Sequence, residues 1–474
     1  MVFVYSDIEG VSPILILSLT ALAVLVIKAA VPKGEKLITT VSVAGIFAGL
    51  AAAVWTFPRS TTAFSDMTIV GGFASFFDTV FLVIALLTIM HSVTYLKKVG
   101  LHFREFYALV LFAVIGMMLM SSAADLITIF LGLELMSVSF YVLAGFMRTR
   151  GTSNEAAMKY FLLGAFATGF LLYGIALIYG CSGTTSLMRL AIEYPRLAGN
   201  PWCAAGFGLL LIGFGFKVAA FPFHMWAPDV YEGSPTTVSG LMATGGKAAA
   251  FSAFVLVFAI PMSQHDERLG VLVALLAAGS MIVGNVLGLA QTNLKRMLAY
   301  SSIAHAGYML IGIASGQSVG EQGILFYLVS YALTTLGAFG VISILEDENG
   351  GRVSYEDYAG LGARRPALAA MMSCFMFSLT GMPPFSGFIG KYYLFTSAVQ
   401  SNLTWLAILG VVTSLISAYY YLRVVVVMYF RGGESGTVPR VAPLAMTSLG
   451  ISVAGILILG VLPSLVLNVT RLLF

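Results

Sequence analysis

Five ionisable residues lie within long apolar stretches of this sequence. They are Glu134, Lys217, Lys247, His305 and Lys391. Side chains of these types take up and release protons, and ionisable groups inside membrane segments are costly and usually line a path for ions or protons. The pattern predicts a membrane protein that moves protons along a row of buried Lys, Glu and His residues.

Two of the lysines lie especially deep in apolar sequence. Lys247 is about a dozen residues, or roughly 18 Å of helix, from either end of its segment, which is further than a lysine side chain extends. No charged residue occurs between Arg365 and Lys391 or between Lys391 and Arg423. Because an ammonium group in hydrocarbon costs ~3 kcal/mol on insertion scales, both positions predict a function. The alternatives are a helix-packing lysine bound to carbonyls at 247 and an interfacial lysine at 391.

Glu134 and Lys217 are expected to form an ion pair if their helices pack together. An isolated carboxylate at mid-membrane depth must be protonated or paired. At ~6 Å and an effective dielectric constant of about 20, the attraction would be about 3 kcal/mol. Separating the two groups would favour release of the lysine proton, and closing the pair would favour its recapture. The alternative is a static structural ion pair.

Histidines and one further lysine are candidate relays. His305 lies in YSSIAHAGYML and has a side chain that titrates near neutral pH, although a hydrogen-bonded core histidine is the alternative. His224 follows Pro222, where it could relay protons or fill a helix break. Lys159 lies near the start of its segment and could be a relay or an interfacial anchor. A plain interfacial role is expected for three residues near segment ends, which are Asp78, His91 and Asp125.

Composition requires that most of the surface face lipid. The 474 residues are 59% hydrophobic and 10% charged, with a mean hydropathy of +0.95. Soluble domains carry about a quarter charged residues. The lipid bilayer is therefore the expected surrounding, and no nucleic-acid partner is expected. Cys181, Cys203 and Cys374 form no CxxC pair, so the sequence supports no disulfide framework, zinc site or iron–sulfur site.

The apolar runs predict an all-α polytopic membrane protein of about fourteen spans. The spans lie near 11–31, 37–57, 73–96, 105–122, 125–147, 156–180, 202–231, 235–261, 269–291, 296–315, 322–345, 366–399, 403–430 and 441–470. Spans seven and twelve are too long for one simple helix. Pro222 interrupts the first, and Pro383 and Pro384 interrupt the second, so both are expected to be broken helices.

Loop charges predict the orientation. With the N-terminus outside, the inner loops carry fifteen Lys and Arg residues and the outer loops five. This is the asymmetry of the positive-inside rule, so both termini are predicted on the outer side of a bacterial plasma membrane.

The two broken spans also indicate an internal repeat. Spans four to eight and spans nine to thirteen each contain one broken helix with a lysine beside its prolines, and an offset of five spans inverts the second unit. The predicted division is 1–104 for spans one to three, 105–261 and 262–430 for the two repeats, and 431–474 for span fourteen.

Redox and nucleotide motifs are missing from the sequence. It contains no Walker A motif, no GxGxxG between a strand and a helix, and no haem or iron–sulfur ligand set. We expect no cofactor, metal or redox centre in this chain, so that any redox energy must come from partner subunits.

Three long segments resemble a known family. FPFHMWAPDVYEGSPTTVSGLMATGGK, QTNLKRMLAYSSIAHAGYMLIG and SLTGMPPFSGFIGKYYLF are similar to segments of the antiporter-like subunits of respiratory complex I and of Mrp cation/proton antiporters. The likeness covers essentially the whole chain. Within the family, the lysine of GFIGK at 391 and the end of the chain soon after span fourteen favour the subunit N branch of bacterial NADH-quinone oxidoreductases, while the double proline of GMPPFSG also suits Mrp subunits.

The resemblance implies a fold and a set of roles. It implies fourteen helices with two inverted five-helix repeats, a modulating pair of Glu134 and Lys217, a connection through Lys247 and His305, and an exit-side Lys391. The implied partners are other membrane subunits of complex I, including neighbouring antiporter-like subunits, together with an arm that oxidises NADH and reduces quinone. FMN, iron–sulfur clusters and quinone would belong to those partners.

Three functional hypotheses are compatible with the sequence. The chain could be a proton-pumping subunit of a redox-driven complex, a cation/proton antiporter subunit of Mrp type, or a scaffold that moves nothing.

Overall fold

A computed structural model describes residues 5–31, 34–101, 104–263, 266–348, 350–432 and 441–473. The described chain is almost entirely helical, with a single two-stranded antiparallel sheet near the N-terminus. The predicted all-α membrane fold is confirmed. Lys33 and Arg440, two of the basic residues assigned to inner loops, lie outside the described residues.

Helices follow one another along the described chain with short connections. The first half contains α1 (Tyr5–Gly10), α2 (Ser12–Ala30), α3 (Glu35–Thr56), β1 (Thr61–Ala63), β2 (Thr68–Val70), α4 (Gly72–Lys98), α5 (Glu105–Ser121), α6 (Leu126–Ala144), α7 (Gly151–Ser182), α8 (Leu187–Leu197), α9 (Pro201–Lys217), α10 (Trp226–Gly233) and α11 (Thr236–Leu241). The second half contains α12 (Lys247–Ser263), α13 (Glu267–Leu289), α14 (Leu294–Ser315), α15 (Ser318–Leu345), α16 (Leu361–Arg364), α17 (Pro366–Thr380), α18 (Ser386–Gln400), α19 (Thr404–Phe430), α20 (Pro443–Val461) and α21 (Ser464–Arg471). A π-helical segment, Met242–Gly246, joins α11 to α12, and a 3₁₀ turn covers Glu356–Tyr358.

Length and composition identify the candidate membrane helices. Eleven helices of the described chain are long and apolar enough to cross a bilayer, the joined stretch Thr236–Ser263 counting as one. Three shorter apolar helices are α5, α9 and α17. Helices occupy every predicted span. The number of crossings, the inverted repeats, the four-part division and the orientation stay predictions.

Both predicted helix breaks are present. In span seven, α9 ends at Lys217 and α10 begins at Trp226, and in span twelve α17 ends at Thr380 and α18 begins at Ser386. The Phe221 backbone N–H in the first break donates to Ser280 Oγ of α13 at 2.9 Å. The prolines thus end the helices where the sequence predicts, and a neighbouring helix satisfies backbone that the break releases.

Other irregularities were not predicted. Span eight is interrupted by the π-helical segment directly before Lys247, and α20 and α21 are separate helices. The short helix α8 packs Leu190 and Tyr194 inward, while Met188 and Ile192 are exposed. The π-helical segment leaves little trace in hydropathy because it contains no proline, whereas Pro463 lies in the break between α20 and α21.

The centre of the bundle is formed by α12, α14 and α15, in which nearly every residue is buried. By contrast, α2, α3, α7 and α20 each expose a broad apolar face, as expected of helices that contact lipid or other subunits. Lys247 and His305 therefore belong to the helices furthest from lipid.

Helices α5 and α6 approach closely through two glycines. A Cβ at Gly132 would lie 2.8 Å from the Gly116 carbonyl oxygen, and one at Gly116 would lie 2.4 Å from the Met136 nitrogen. Both contacts are with backbone atoms, which cannot rotate aside. Only glycine permits this spacing of the two helices.

Gly132→Ala should destabilise the protein by ~1–3 kcal/mol, because the added methyl group separates α5 from α6. The measurement is the thermal unfolding midpoint of the purified detergent-solubilised protein. Gly169→Ala is the matched control, since a Cβ at this helical glycine meets no atom within 4 Å. Equal midpoints for the two variants would contradict the packing argument.

Candidate functional site

Four of the five predicted site residues are buried inside the protein. The exposed fractions are 7% for Lys217, 2% for Lys247, 2% for His305 and 5% for Lys391. Glu134 is partly exposed. The alternative of an interfacial lysine does not suit Lys391, because its ammonium group is enclosed by protein acceptors instead of extending to the bundle surface.

The ammonium group of Lys247 is bound by α14. Its Nζ donates to Ser302 Oγ at 2.6 Å and to the Ser302 carbonyl oxygen. The ring of Tyr331 on α15 lies on another side, with its centroid 5.8 Å from Nζ. Lys247 is the first residue after the π-helical segment, so the position of its side chain depends on that irregular turn.

His305 contacts a tyrosine hydroxyl through each ring nitrogen. Nδ1 is 2.5 Å from Tyr327 OH on α15, and Nε2 is 3.0 Å from Tyr421 OH on α19. The Tyr421 hydroxyl also contacts Ser301 Oγ at 2.5 Å. A neutral imidazole donates from one nitrogen and accepts at the other, so this histidine can pass a proton through its ring between two hydroxyls.

The ammonium group of Lys391 is held at the end of α17. Nζ donates to the carbonyl oxygens of Leu379 at 3.0 Å and Thr380 at 2.9 Å, and to Ser414 Oγ at 2.7 Å. These carbonyls have no intrahelical partner, because α17 stops at Thr380, and the negative end of the helix dipole favours a cation there. The Tyr308 ring lies 5.0 Å away.

Aromatic rings connect these three residues without interruption. From Lys247, the Tyr331 ring lies 5.1 Å from the His305 ring, centroid to centroid. The Tyr308 ring lies 5.6 Å from His305 and also contacts Lys391. The structure thus brings together Lys247, His305 and Lys391, three predicted residues from separate helices.

Lys217 and Glu134 are near each other but do not touch. Lys217 Nζ donates to Ser137 Oγ at 2.7 Å, and Glu134 Oε1 accepts from Thr168 Oγ1 at 2.8 Å. Ser137 and Glu134 are one turn apart on α6. Among the described residues, no ion pair within 4.0 Å includes Glu134. The lysine is therefore bound to the helix that carries the carboxylate, one turn away from it.

A row of aromatic side chains extends from Lys217 toward the centre. Its ammonium lies 6.0 Å from the Tyr160 ring, which stacks on Trp226 at 4.5 Å. Trp226 lies 6.0 Å from Tyr231, which approaches Phe339 of α15. Within the described part of the chain, the hydrogen bonds of Lys217 end on α6 and those of Lys247 end on α14.

Lys159 belongs to an ion-pair network beside α10. Its Nζ contacts Asp229 at 2.6 Å and Glu155 at 2.7 Å. Arg296 of α14 contacts the same Asp229 at 2.7 Å and Glu232 at 2.8 Å. Lys159 is 38% exposed, so this geometry favours the anchor over the buried relay.

The remaining predicted positions divide into two groups. His224 lies in the first helix break, where its ring is 5.7 Å from the Phe221 ring, so the structure places it as a filler of the break. Asp125 caps α6 by accepting from the Ile127 N–H, a structural role. The interfacial expectation is wrong for Asp78 and His91, which are buried within the bundle because α4 packs against α15 and α20.

Sequence reasoning missed the hydroxyl partners of the site. Tyr327, Tyr421 and Ser414 complete the contacts of His305 and Lys391. Their residue types are common in membrane interiors and give no signal alone. Among the described residues, no group of three or more His, Cys, Asp or Glu side chains is arranged to hold a metal ion.

The family model described as "NADH:quinone oxidoreductase/Mrp antiporter, TM" matches residues 123–417, which is more than half of the chain. The chain belongs to this family. The match includes all five predicted site residues, together with both helix breaks. The resemblance predicted from the three sequence segments is confirmed.

Relatives identify the branch of the NADH:quinone oxidoreductase/Mrp antiporter family. The chain is 48% identical over 467 residues to a protein of Trichlorobacter lovleyi named NADH-quinone oxidoreductase subunit N, covering 98% of this chain and 96% of that protein. It is also similar to a chain of respiratory complex I from Thermus thermophilus, solved with bound aureothin, at 38% identity and a TM-score of 0.82, covering 96% and 98% of the two chains.

A chain of the Mrp complex from Dietzia sp. DQ12-45-1b shares the fold. The TM-score is 0.82 at 22% identity, with 98% of this chain and 96% of that chain covered. At this identity the similarity concerns architecture alone. The sequence relatives therefore favour the subunit N branch over the Mrp alternative.

Proposed function

We propose that the chain is a proton-translocating membrane subunit of an NADH-quinone oxidoreductase, in which redox chemistry in partner subunits drives proton movement through the buried lysines. The observation that carries the proposal is the connected set Lys247, His305 and Lys391, in which each ionisable group is buried and each contacts polar or aromatic neighbours. Family membership supports it. This chain takes no part in the redox reaction itself.

The arrangement of Lys247, His305 and Lys391 suggests an order for proton transfer. In this proposal a proton passes from Lys247 to Lys391 by way of His305, which contacts the rings of Tyr331 and Tyr308 that lie beside the two lysines. The two tyrosine hydroxyls on the histidine nitrogens provide groups that accept and donate in turn. Lys391 then holds the proton against the end of α17 until it leaves on the outer side.

Glu134 and Lys217 form the modulating pair in this proposal. Their attraction, about 3 kcal/mol at ~6 Å, is comparable to the ~2.3 kcal/mol needed to move one charge against 100 mV. A rearrangement that moves the Glu134 carboxylate away from Lys217 would favour release of the lysine proton. The pair therefore converts a change in distance into a change in proton affinity.

The exposed side of Glu134 suggests how a neighbour could act on it. Leu131 and Val138, which flank Glu134 on α6, are both more than half exposed, so this chain leaves that face of the helix uncovered. A carboxylate facing lipid is unfavourable. A neighbouring antiporter-like subunit that covers this face would offer its own charges to Glu134 and compete with Lys217.

Other membrane subunits of complex I would flank this chain in a bacterial plasma membrane, with both termini on the outer side. FMN, iron–sulfur clusters and quinone would belong to partner subunits. An Mrp-type antiporter would make none of these redox associations necessary, whereas a scaffold would hold quinone-binding neighbours and move no protons.

Purification in mild detergent tests the assembly. A tagged chain should copurify with proteins whose absorbance spectrum contains flavin and iron–sulfur bands that bleach on reduction with NADH. The redox-driven hypothesis fails if the intact membrane assembly contains neither chromophore, and an Mrp-type assembly would then be the better account. A control preparation from cells lacking the tag measures nonspecific carry-over.

Lys217→Ala and Lys391→Ala should abolish or strongly reduce proton pumping, because the first removes one charge of the modulating pair and the second removes a buried proton carrier. The measurement is the number of protons moved per NADH oxidised by the assembled complex in sealed vesicles. Lys36→Ala is the control, since Lys36 is exposed on the bundle surface. Full pumping by both buried-lysine variants would favour the scaffold.

Tyr421→Phe should lower pumping while retaining assembly, because it removes the hydroxyl that joins Ser301 to His305 without changing the ring. Tyr419→Phe, two residues away and exposed, should pump normally. The same proton-to-NADH ratio is measured for both. If Tyr421→Phe moves as many protons per NADH as Tyr419→Phe, the Tyr421 hydroxyl is not part of the proton path.

A further inference from the structure

A seam of buried groups between α11 and α15 meets the path through Lys247, His305 and Lys391 at Lys247 and Tyr331 and extends beyond it. Three contacts fix the antiparallel packing of this seam. Thr236 Oγ1 donates to Glu346 Oε2 at 2.6 Å at one end, a Cβ at Gly240 would lie 3.2 Å from Phe339 Cβ in the middle, and Lys247 approaches the Tyr331 ring at the other end. The seam therefore runs from Glu346 to Lys247, over roughly 22 Å of helix.

Unpaired hydroxyls lie along this seam. Thr237 Oγ1, Thr335 Oγ1 and Tyr331 OH are all buried and make no hydrogen bond of normal geometry within the described chain, although the Tyr331 hydroxyl interacts with the side chains of Thr335 and Ser302. Thr335 and Tyr331 are one turn apart on α15, and Thr237 adjoins the residue that binds Glu346. Buried hydroxyls are rarely left unpaired in proteins, and ordered water commonly supplies the missing partner.

The Glu346 end of the seam opens to a polar cavity. This cavity has a volume of about 370 Å³ and is lined by Arg150, Glu155, Asp229, Ser234 and Glu346, among others. Ser234 Oγ is buried there without a hydrogen-bond partner among the described residues. Glu346 is itself buried, and Arg150 Nη1 lies 3.8 Å from its carboxylate. The Glu346 carboxylate thus connects the cavity with the seam.

We propose that Glu346 collects protons from this cavity, at the end of the bundle predicted to face the cytoplasm, and delivers them to Lys247 along the hydroxyls of Thr237, Thr335 and Tyr331. Glu346 takes up one proton and passes it to water, and the Lys247 amine gains one proton. Only O–H and N–H bonds form and break. The inference rests on the proposed proton-translocating function and adds an entry route that bypasses Lys217.

The narrowest point of this route is apolar. Phe339 lies against Gly240 between Thr237 and Thr335, with Leu336 also close to Gly240. The three atoms nearest to a Cβ built at Gly240 all belong to these two apolar side chains. Phe339 and Leu336 therefore form an apolar stretch of the route, past which water would have to move.

Thr335 offers a sharp test because its hydroxyl makes no hydrogen bond of normal geometry among the described residues. Thr335→Val replaces that hydroxyl with a methyl group of similar size, a change that is nearly neutral or stabilising if the role is only structural. Thr335→Ser keeps the hydroxyl. In the assembled complex, Thr335→Val and Glu346→Gln should lower the number of protons moved per NADH to the level of Lys247→Met, while Thr335→Ser and the exposed control Glu348→Gln should retain it.

The outcomes distinguish a failure of the entry route through Glu346 from a failure of the proposed proton-translocating function. If Lys247→Met loses pumping while Thr335→Val and Glu346→Gln keep it, the route is overturned and the proposed function stands. Full pumping by all three variants overturns both. Equal losses in Thr335→Val and Thr335→Ser also overturn the route, because the hydroxyl would then be irrelevant. If Glu346→Gln does not assemble, the comparison of the two Thr335 variants decides alone.

Discussion

The binding of lysine ammonium groups inside an apolar bundle is the constraint on which this structure depends. A regular membrane helix offers such a group few acceptors, since the carbonyls in its interior are already bonded along the helix. Each of the three buried lysines of the predicted site is placed where a helix is irregular. Lys217 ends α9, Lys247 follows the π-helical segment, and Lys391 is bound by the carbonyls at the end of α17. The helix break supplies backbone acceptors directly to Lys391, whereas Lys247 binds the side chain and carbonyl of Ser302 within α14.

The two ends of the lysine row hold their charges differently. Lys391 has two carbonyls and a hydroxyl, whereas Lys217 has one hydroxyl and the faces of aromatic rings. Carbonyls at a helix end bind a cation more firmly than a ring face at about 6 Å. Lys217 is consequently the lysine whose proton affinity depends most on a movable neighbour, which suits the modulating role proposed for Glu134.

Sequence reasoning found the ionisable residues, which are energetically costly to place in a membrane, and missed most of their hydroxyl partners, which are not. Lys247 and Lys391 were predictable because nothing but function or close pairing retains a lysine in apolar sequence, and the breaks near Pro222 and Pro384 were predictable because proline cannot continue a helix. Tyr421 and Ser414 were not predictable, since a hydroxyl costs little in a membrane and occurs at many positions without a role. Asp78 and His91 were misassigned because position along a span says nothing about which side of a helix faces other helices.

The π-helical segment before Lys247 gives no signal in the sequence, yet it determines where that side chain points. A π turn contains one residue more than an α turn, so the chain beyond it is rotated by about 100° relative to an uninterrupted α-helix. Conversion of Met242–Gly246 to regular α-helix would rotate the side chain of Lys247 away from Ser302. The π-helical form and a regular α-helical form of this segment would thus present Lys247 to different neighbours.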